Sequence, residues 1–202
     1  MLLYIKRSYI LSAVISRKIK TNDLEKLEFL KDRLKDRLGA PVGWHMVGIS
    51  FVTSMVLNAL SFTMPQSFAW LALFRWAELP EYAVTAAILP FMFTYCVILV
   101  SSLFFTARGF LWAFKLYLLI TLLTAVLALS FFVFAVISLV SSAGNISTLM
   151  ICSVLGLVFI ASSIKCLNSS LFFRSNALYL HNRVWRKQSK IQQQLIQTMK
   201  RK

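Results

Sequence analysis

Three long runs without a charged residue dominate the chain: residues 39–74, 82–107 and 116–164, of 36, 26 and 49 residues. A helix needs about 20 apolar residues to cross a hydrocarbon core about 30 Å thick. The first two runs therefore hold one span each. The third is long enough for two, with a turn-like break at Ser141-Ser142-Ala143-Gly144-Asn145. The pattern predicts four transmembrane helices, over about 42–62, 82–105, 112–140 and 146–167. Their apolar positions are continuous rather than alternating, which favours helices over a β-barrel.

The flanks follow a different rhythm. Leu24, Leu27, Leu30, Leu34 and Leu38 recur at nearly helical spacing. Asn22 is placed to cap this helix with Glu25 as its reciprocal partner, and Gly39 and Pro41 are placed to stop it. Ahead of it, Leu2, Leu3, Ile5, Ile10, Leu11, Val14 and Ile15 are interleaved with Lys6, Arg7, Arg17, Lys18 and Lys20, as in an interfacial helix. No small-residue cleavage site follows, so this segment is expected to be retained. The tail from Arg174 carries Leu178, Leu180, Val184, Trp185, Ile191, Leu195 and Met199 among eight Lys and Arg and no acid. It reads either as a continuation of span four or as a separate basic amphipathic helix. The expected fold class is an all-α polytopic membrane protein. Its parts are an amphipathic segment over 1–41, a four-helix membrane domain over 42–167 and a basic helical tail over 168–202.

Charge orients this layout. Residues 1–41 hold ten Lys and Arg, the loop 63–81 one (Arg75), 106–115 two, 141–145 none and 165–202 nine. Basic residues collect in cytoplasmic loops, so both termini are expected inside, in a cell inner membrane. The net charge of +15 then lies almost wholly on one face, where it would attract the anionic inner leaflet.

The chemistry of catalysis is missing from the spans. All seven carboxylates lie outside the span cores, and no metalloprotease, nucleophile-elbow or phosphate-loop motif is present. The expectation is a protein that is not an enzyme and carries no cofactor and no metal. Cys96, Cys152 and Cys166 read as small buried hydrophobes. Pro90 is expected to kink span two. Asn58 is the strongly polar amide of a span core and is expected to bond across helices.

Candidate binding residues lie in two places. On the cytoplasmic side, Leu27, Leu30, Leu34, Arg183, Arg186, Lys187 and Lys190 form a candidate face for lipid or a soluble partner. The leucines have an alternative, which is to pack on the chain's own C-terminal helix. On the outside, the loop between Pro65 and Pro80 carries Phe68, Trp70, Phe74 and Trp76, expected as a short interfacial or re-entrant helix that anchors or senses. Direct nucleic acid binding is not expected, since no aromatic-basic module motif is present. Small residues at four-residue spacing (Ser50 and Ser54, Thr121 and Ala125) suit close helix contacts and a homo-oligomer.

The number of spans, the size and the basic termini resemble, in overall layout across the chain, the small four-helix membrane subunits of bacterial anti-phage defence systems, such as the membrane component of Kiwa. The resemblance implies a membrane scaffold or sensor that works with a soluble partner, and it assigns no residue. Colicin-type immunity proteins share the layout. Three functions follow as expectations: a subunit that recruits or regulates a cytosolic protein and senses membrane perturbation in antiviral defence; an oligomeric pore or membrane-disrupting effector; and an immunity or exclusion protein.

Overall fold

The computed structural model of the protein describes residues 2–38, 48–141 and 146–200. The expected helix stop at Gly39 and Pro41, the start of span one with His45, and the turn over 142–145 lie outside these residues. Among the described residues there are helices and turns but no strand. The α-helices are α1 (Leu3–Lys18), α2 (Leu24–Leu38), α3 (Ile49–Trp76), α4 (Val84–Ala107), α5 (Leu111–Ser141), α6 (Ile146–Leu167) and α7 (Ser170–Lys200). A single 3₁₀ turn, Glu81–Ala83, leads into α4.

Three segments are long and apolar enough to cross a membrane: Glu81–Ala107, Leu111–Leu139 and Thr148–Leu167, with mean hydropathy 2.2, 2.7 and 2.1. They expose apolar side chains that water would penalise, among them Phe93 at 73% and Leu122 at 61%. The chain is a membrane protein. Helix α3 is long enough, at 28 residues, but is not one of the three. Its mean is lowered by Gln66 and by Ser50, Ser54, Asn58 and Ser61, the last four of them buried.

Two compact units divide the chain. One comprises Met1–Phe51, Leu103–Lys115 and Leu167–Lys202; the other comprises Val52–Ser102 and Leu116–Cys166. We call them the terminal unit and the bundle unit. Their boundaries fall inside α3, α4, α5 and α6 or at their ends.

The bundle unit has a polar interior. Ser54 Oγ lies 2.8 Å from both Tyr117 Oη and Ser163 Oγ. Asn58 Nδ2 donates to Thr121 Oγ1 at 2.8 Å, and Tyr95 Oη lies 2.8 Å from Thr124 Oγ1. Ser61 Oγ donates to the Gly156 carbonyl at 2.9 Å. A hydrogen bond of this kind inside a membrane bundle is worth about 0.6–2 kcal/mol. The polar residues of α3 are thus placed by the helical period on the side that meets α5 and α6.

The aromatic segment corrects the expectation of a separate outer helix. Helix α3 runs unbroken through Pro65 to Trp76. At about 1.5 Å per residue it is longer than a hydrocarbon core; Pro65 withholds one backbone donor and its ring crowds the carbonyl four residues back, a cost that packed membrane helices tolerate. The helix ends in a Schellman turn: the Leu79 N–H donates to the Phe74 carbonyl and the Glu78 N–H to the Arg75 carbonyl, at 2.9 and 3.3 Å. Glu78 holds φ 54 there, a left-handed conformation usually filled by glycine. Pro90 is likewise taken up within a continuous α4.

Candidate functional site

The terminal unit brings the two ends of the chain together around α7. The α2 residues Leu27, Leu30 and Leu34 are at most 5% exposed and form one apolar cluster with Ile15, Ile19, Leu180 and Val184. Burying a leucine side chain stabilises by roughly 1.5–3 kcal/mol. The leucine stripe is therefore engaged by the chain's own α1 and α7, which leaves Leu27, Leu30 and Leu34 little surface for a protein partner.

The α2 cap differs from the expected one. Asp23 Oδ1, not the Asn22 side chain, accepts from the Glu25 and Lys26 N–H groups, at 3.1 and 3.4 Å. Asp23 is one residue closer to the first apolar position, which is where a cap acceptor must sit. The Lys26 ammonium 3.0 Å away and the Lys26 N–H hold this carboxyl below its usual 3.8.

Helix α1 meets α7 through polar groups. Ser8 and Ser12 are buried, and Asn176 Nδ2 donates to the Ser8 carbonyl at 3.2 Å and to Ser12 Oγ at 3.0 Å. Asn168 Oδ1 accepts from the Tyr4 N–H at 2.9 Å and so caps the start of α1. One residue later, Ser169 Oγ accepts from the Phe172 N–H at 3.1 Å and caps α7. The tail is thus a separate helix after a break at Asn168-Ser169, not a continuation of α6. With its serines turned inward, α1 points Leu3, Ile10 and Val14 outward, at 42–51% exposure.

The basic residues of α7 divide into two sets. Lys187 Nζ donates to the Ile19 and Thr21 carbonyls at 2.6 and 2.7 Å, neutralising the carbonyl end of α1. Arg183 Nη1 donates to the Gly109 carbonyl at 2.8 Å, and its guanidinium lies 4.7 Å from the centre of the Phe110 ring. Burial, with the Arg186 charge beside it, draws its pKa below the ordinary guanidinium value. Arg186 Nη2 donates to the Arg108 carbonyl at 3.1 Å. These three cations fasten α1 and the α4–α5 turn to α7. Lys190, by contrast, is exposed.

Gly109 makes the turn possible. Its φ is +84, and a Cβ there would stand 3.1 Å from the Tyr179 carbonyl oxygen and 3.2 Å from Arg183. The Phe110 N–H donates to the Phe105 carbonyl at 3.1 Å and the Gly109 N–H to Thr106 at 2.7 Å, a second Schellman turn.

The outward face of the unit is formed by other residues. Beyond Ile191, residues 192–200 of α7 are exposed on every side, including Leu195, Ile196 and Met199 at 49–69%. A groove of about 310 Å³ lies between α1 and α2; its apolar wall includes Leu11, Leu30 and Phe173 and its rim Arg7, Lys18, Arg33 and Arg37. Sequence periodicity pointed to Leu195 and Met199 on the tail but did not single out the groove.

In the bundle unit, the four aromatic residues of α3 are unequally placed. Phe68 and Trp70 rest on Phe131 and Phe91, with ring centres 5.4 and 5.0 Å apart. Phe74 meets Trp70 edge to face at 6.3 Å. Trp76 is 83% exposed.

No protein-family model matches the chain, and no curated protein and no solved structure is significantly similar to it.

Proposed function

We propose that the protein is a non-enzymatic inner-membrane subunit with four spans and both termini in the cytoplasm, which recruits or regulates a cytosolic protein. Bonds within the terminal unit support the four-span reading. Asn168 holds α1, Lys187 holds the α1 end, and Arg183 holds the α4–α5 turn. Segments bonded to one another this way share one side of a membrane, so the crossings between them come in even numbers. Helix α4 is one crossing between Phe51 and the turn at Gly109, and α3 supplies its pair. Four polar residues of α3, Ser50, Ser54, Asn58 and Ser61, are buried and hydrogen-bonded, which lowers their penalty against lipid. The distribution of Lys and Arg supports the cytoplasmic assignment of the terminal unit.

The observation that carries the recruiting role is the last three turns of α7. They present Leu195, Ile196 and Met199 to solvent, with Lys190 and Lys200 beside them. An amphipathic basic helix of this form suits an apolar groove with an acidic rim on a soluble protein. The aromatic end of α3 and the state of the bilayer are the sensed input, as in the defence subunits that the layout resembles. A pore lined by Ser and Thr has less support, because Ser54, Asn58, Ser61 and Thr121 bond to groups of their own bundle.

The test is removal of residues 192–202 from the full chain. A cut at Arg183 would also remove the clamps of α1 and of the turn, whereas a cut after Ile191 leaves them. The shortened chain is expected to insert and stay folded while losing a co-purifying acidic soluble protein. Retention of that protein would sink the proposal.

A further inference from the structure

We infer that the groove between α1 and α2 is a binding site for one anionic phospholipid, with the phosphate on its arginine rim and an acyl chain along its apolar wall. The groove is lined by Ile10, Leu11, Val14, Ile15, Leu30, Leu34 and Phe173, with Arg7, Lys18, Arg33 and Arg37 at its edges and no carboxylate among its lining residues. Its volume of about 310 Å³ falls at the lower end of the range for ligand clefts, roughly 300–1,000 Å³.

The charge of the groove is not neutralised from within. Among the described residues the ion pairs are Lys26–Asp23, Lys31–Glu28 and Arg75–Glu81, and none involves a rim cation. All four rim cations are exposed. Arg33 and Arg37 are one turn apart on α2, and Arg7 stands on the opposite wall. Planar guanidinium forks of this kind match phosphate oxygens in pairs.

The apolar part selects an amphiphile over a free anion. Ile10 and Val14 remain 50% and 42% exposed at the mouth of the groove, with Leu3 further along the same face of α1 at 51%. On a helical projection Lys6 and Arg17 flank this stripe on one side and Arg7 and Lys18 on the other. An apolar strip edged by cations is the pattern of a helix that meets a lipid surface. The chain is resident in a membrane, so a phospholipid is the anionic amphiphile at the highest local concentration. The site is separate from the last turns of α7 and does not depend on a protein partner.

The test uses the full chain in neutral detergent, titrated with dioleoyl-phosphatidylglycerol or dioleoyl-phosphatidylcholine and followed by native mass spectrometry. One phosphatidylglycerol per chain is expected to bind in preference to phosphatidylcholine. Arg33→Gln with Arg37→Gln should weaken it roughly 30-fold, the ratio that two basic contacts to an anionic lipid represent. Lys190→Gln with Lys200→Gln, two cations of α7 outside the groove, should leave it unchanged. Arg7→Gln gives a second reading from the other wall if the double variant misfolds. Equal loss in both doubles would reduce the site to diffuse charge and overturn the inference. So would displacement of the lipid by inorganic phosphate alone, or a photoreactive residue at Val14 that captures a protein instead of lipid.

Discussion

Lys187→Met should free the end of α1 without unfolding the chain. The lysine ammonium bonds two carbonyls of the α1–α2 connection, Ile19 and Thr21, at 2.6 and 2.7 Å. A hydrogen bond to a charged group contributes about 1.5–3 kcal/mol net. Lys187 is half-buried, and water can replace part of what is lost, so the lower part of that range applies to the pair. Methionine keeps the apolar stem and its packing on α1. About 1.5–2 kcal/mol corresponds to roughly 10–30-fold in an equilibrium constant, so amides over residues 15–20 should exchange that much faster by hydrogen–deuterium exchange of the full chain. Those of α2 should change less, because Leu27, Leu30 and Leu34 still pack on α7. Lys190→Met is the control and should change neither. Wild-type exchange at the end of α1 in Lys187→Met would refute the clamp and the reasoning about which cations of α7 are internal.

Three further outcomes follow from turns and caps. Gly109→Ala should lower the thermal midpoint in detergent, because a left-handed residue with a Cβ costs about 1–2 kcal/mol and this Cβ also presses on Tyr179 and Arg183; an unchanged midpoint would contradict the geometry. Glu78→Gly should raise the midpoint by relieving roughly 1 kcal/mol of the same kind, with the Arg75–Glu81 pair untouched; a lower midpoint would show that Glu78 contributes more than its backbone costs. The Asp23 cap should be fully present above pH 3.8 and weaken as pH falls through the lower folded-state value. The amide shifts of Glu25 and Lys26 should report this, and Asp23→Asn should keep the cap while abolishing its pH dependence; titration at or above 3.8 would count against it.

The helices were legible in the sequence to the extent that one local period determines them. The runs around α4, α5 and α6 predicted those helices to within two residues at the described ends, because length and apolarity alone decide a span. Helix α3 was misread where Pro65 suggested a stop: a proline costs a donor and crowds the preceding turn, but a helix packed in a bundle is carried past it. The terminal unit was hardest, because its contacts join residues more than 160 apart, as Asn176 with Ser12 and Lys187 with Ile19. A serine in a basic segment looks like solvent-facing filler until Asn176 is opposite it. The charge count was right about the amount of basic residue on α7 but carried no sign that Arg183 and Lys187 are turned inward while Lys190 and the turns after Ile191 are turned out. The phospholipid groove was hidden for the same reason, since its two walls come from different helices and neither wall is a motif.

The Asn168-Ser169 junction has a consequence for how the protein is made. It supplies the cap for α1, and α7 supplies the apolar surface that covers α2. Both are synthesised after α3 to α6. At about 5–20 residues per second, α1 and α2 leave the ribosome on the order of ten seconds before Leu180 and Val184 can complete the cluster over Leu27, Leu30 and Leu34. For that interval the part of the leucine face that α7 covers is available to chaperones and proteases. Closure of the terminal unit thus marks a chain in which α3 to α6 have been translated, and a chain stalled before Asn168 is left with that part of its leucine face exposed.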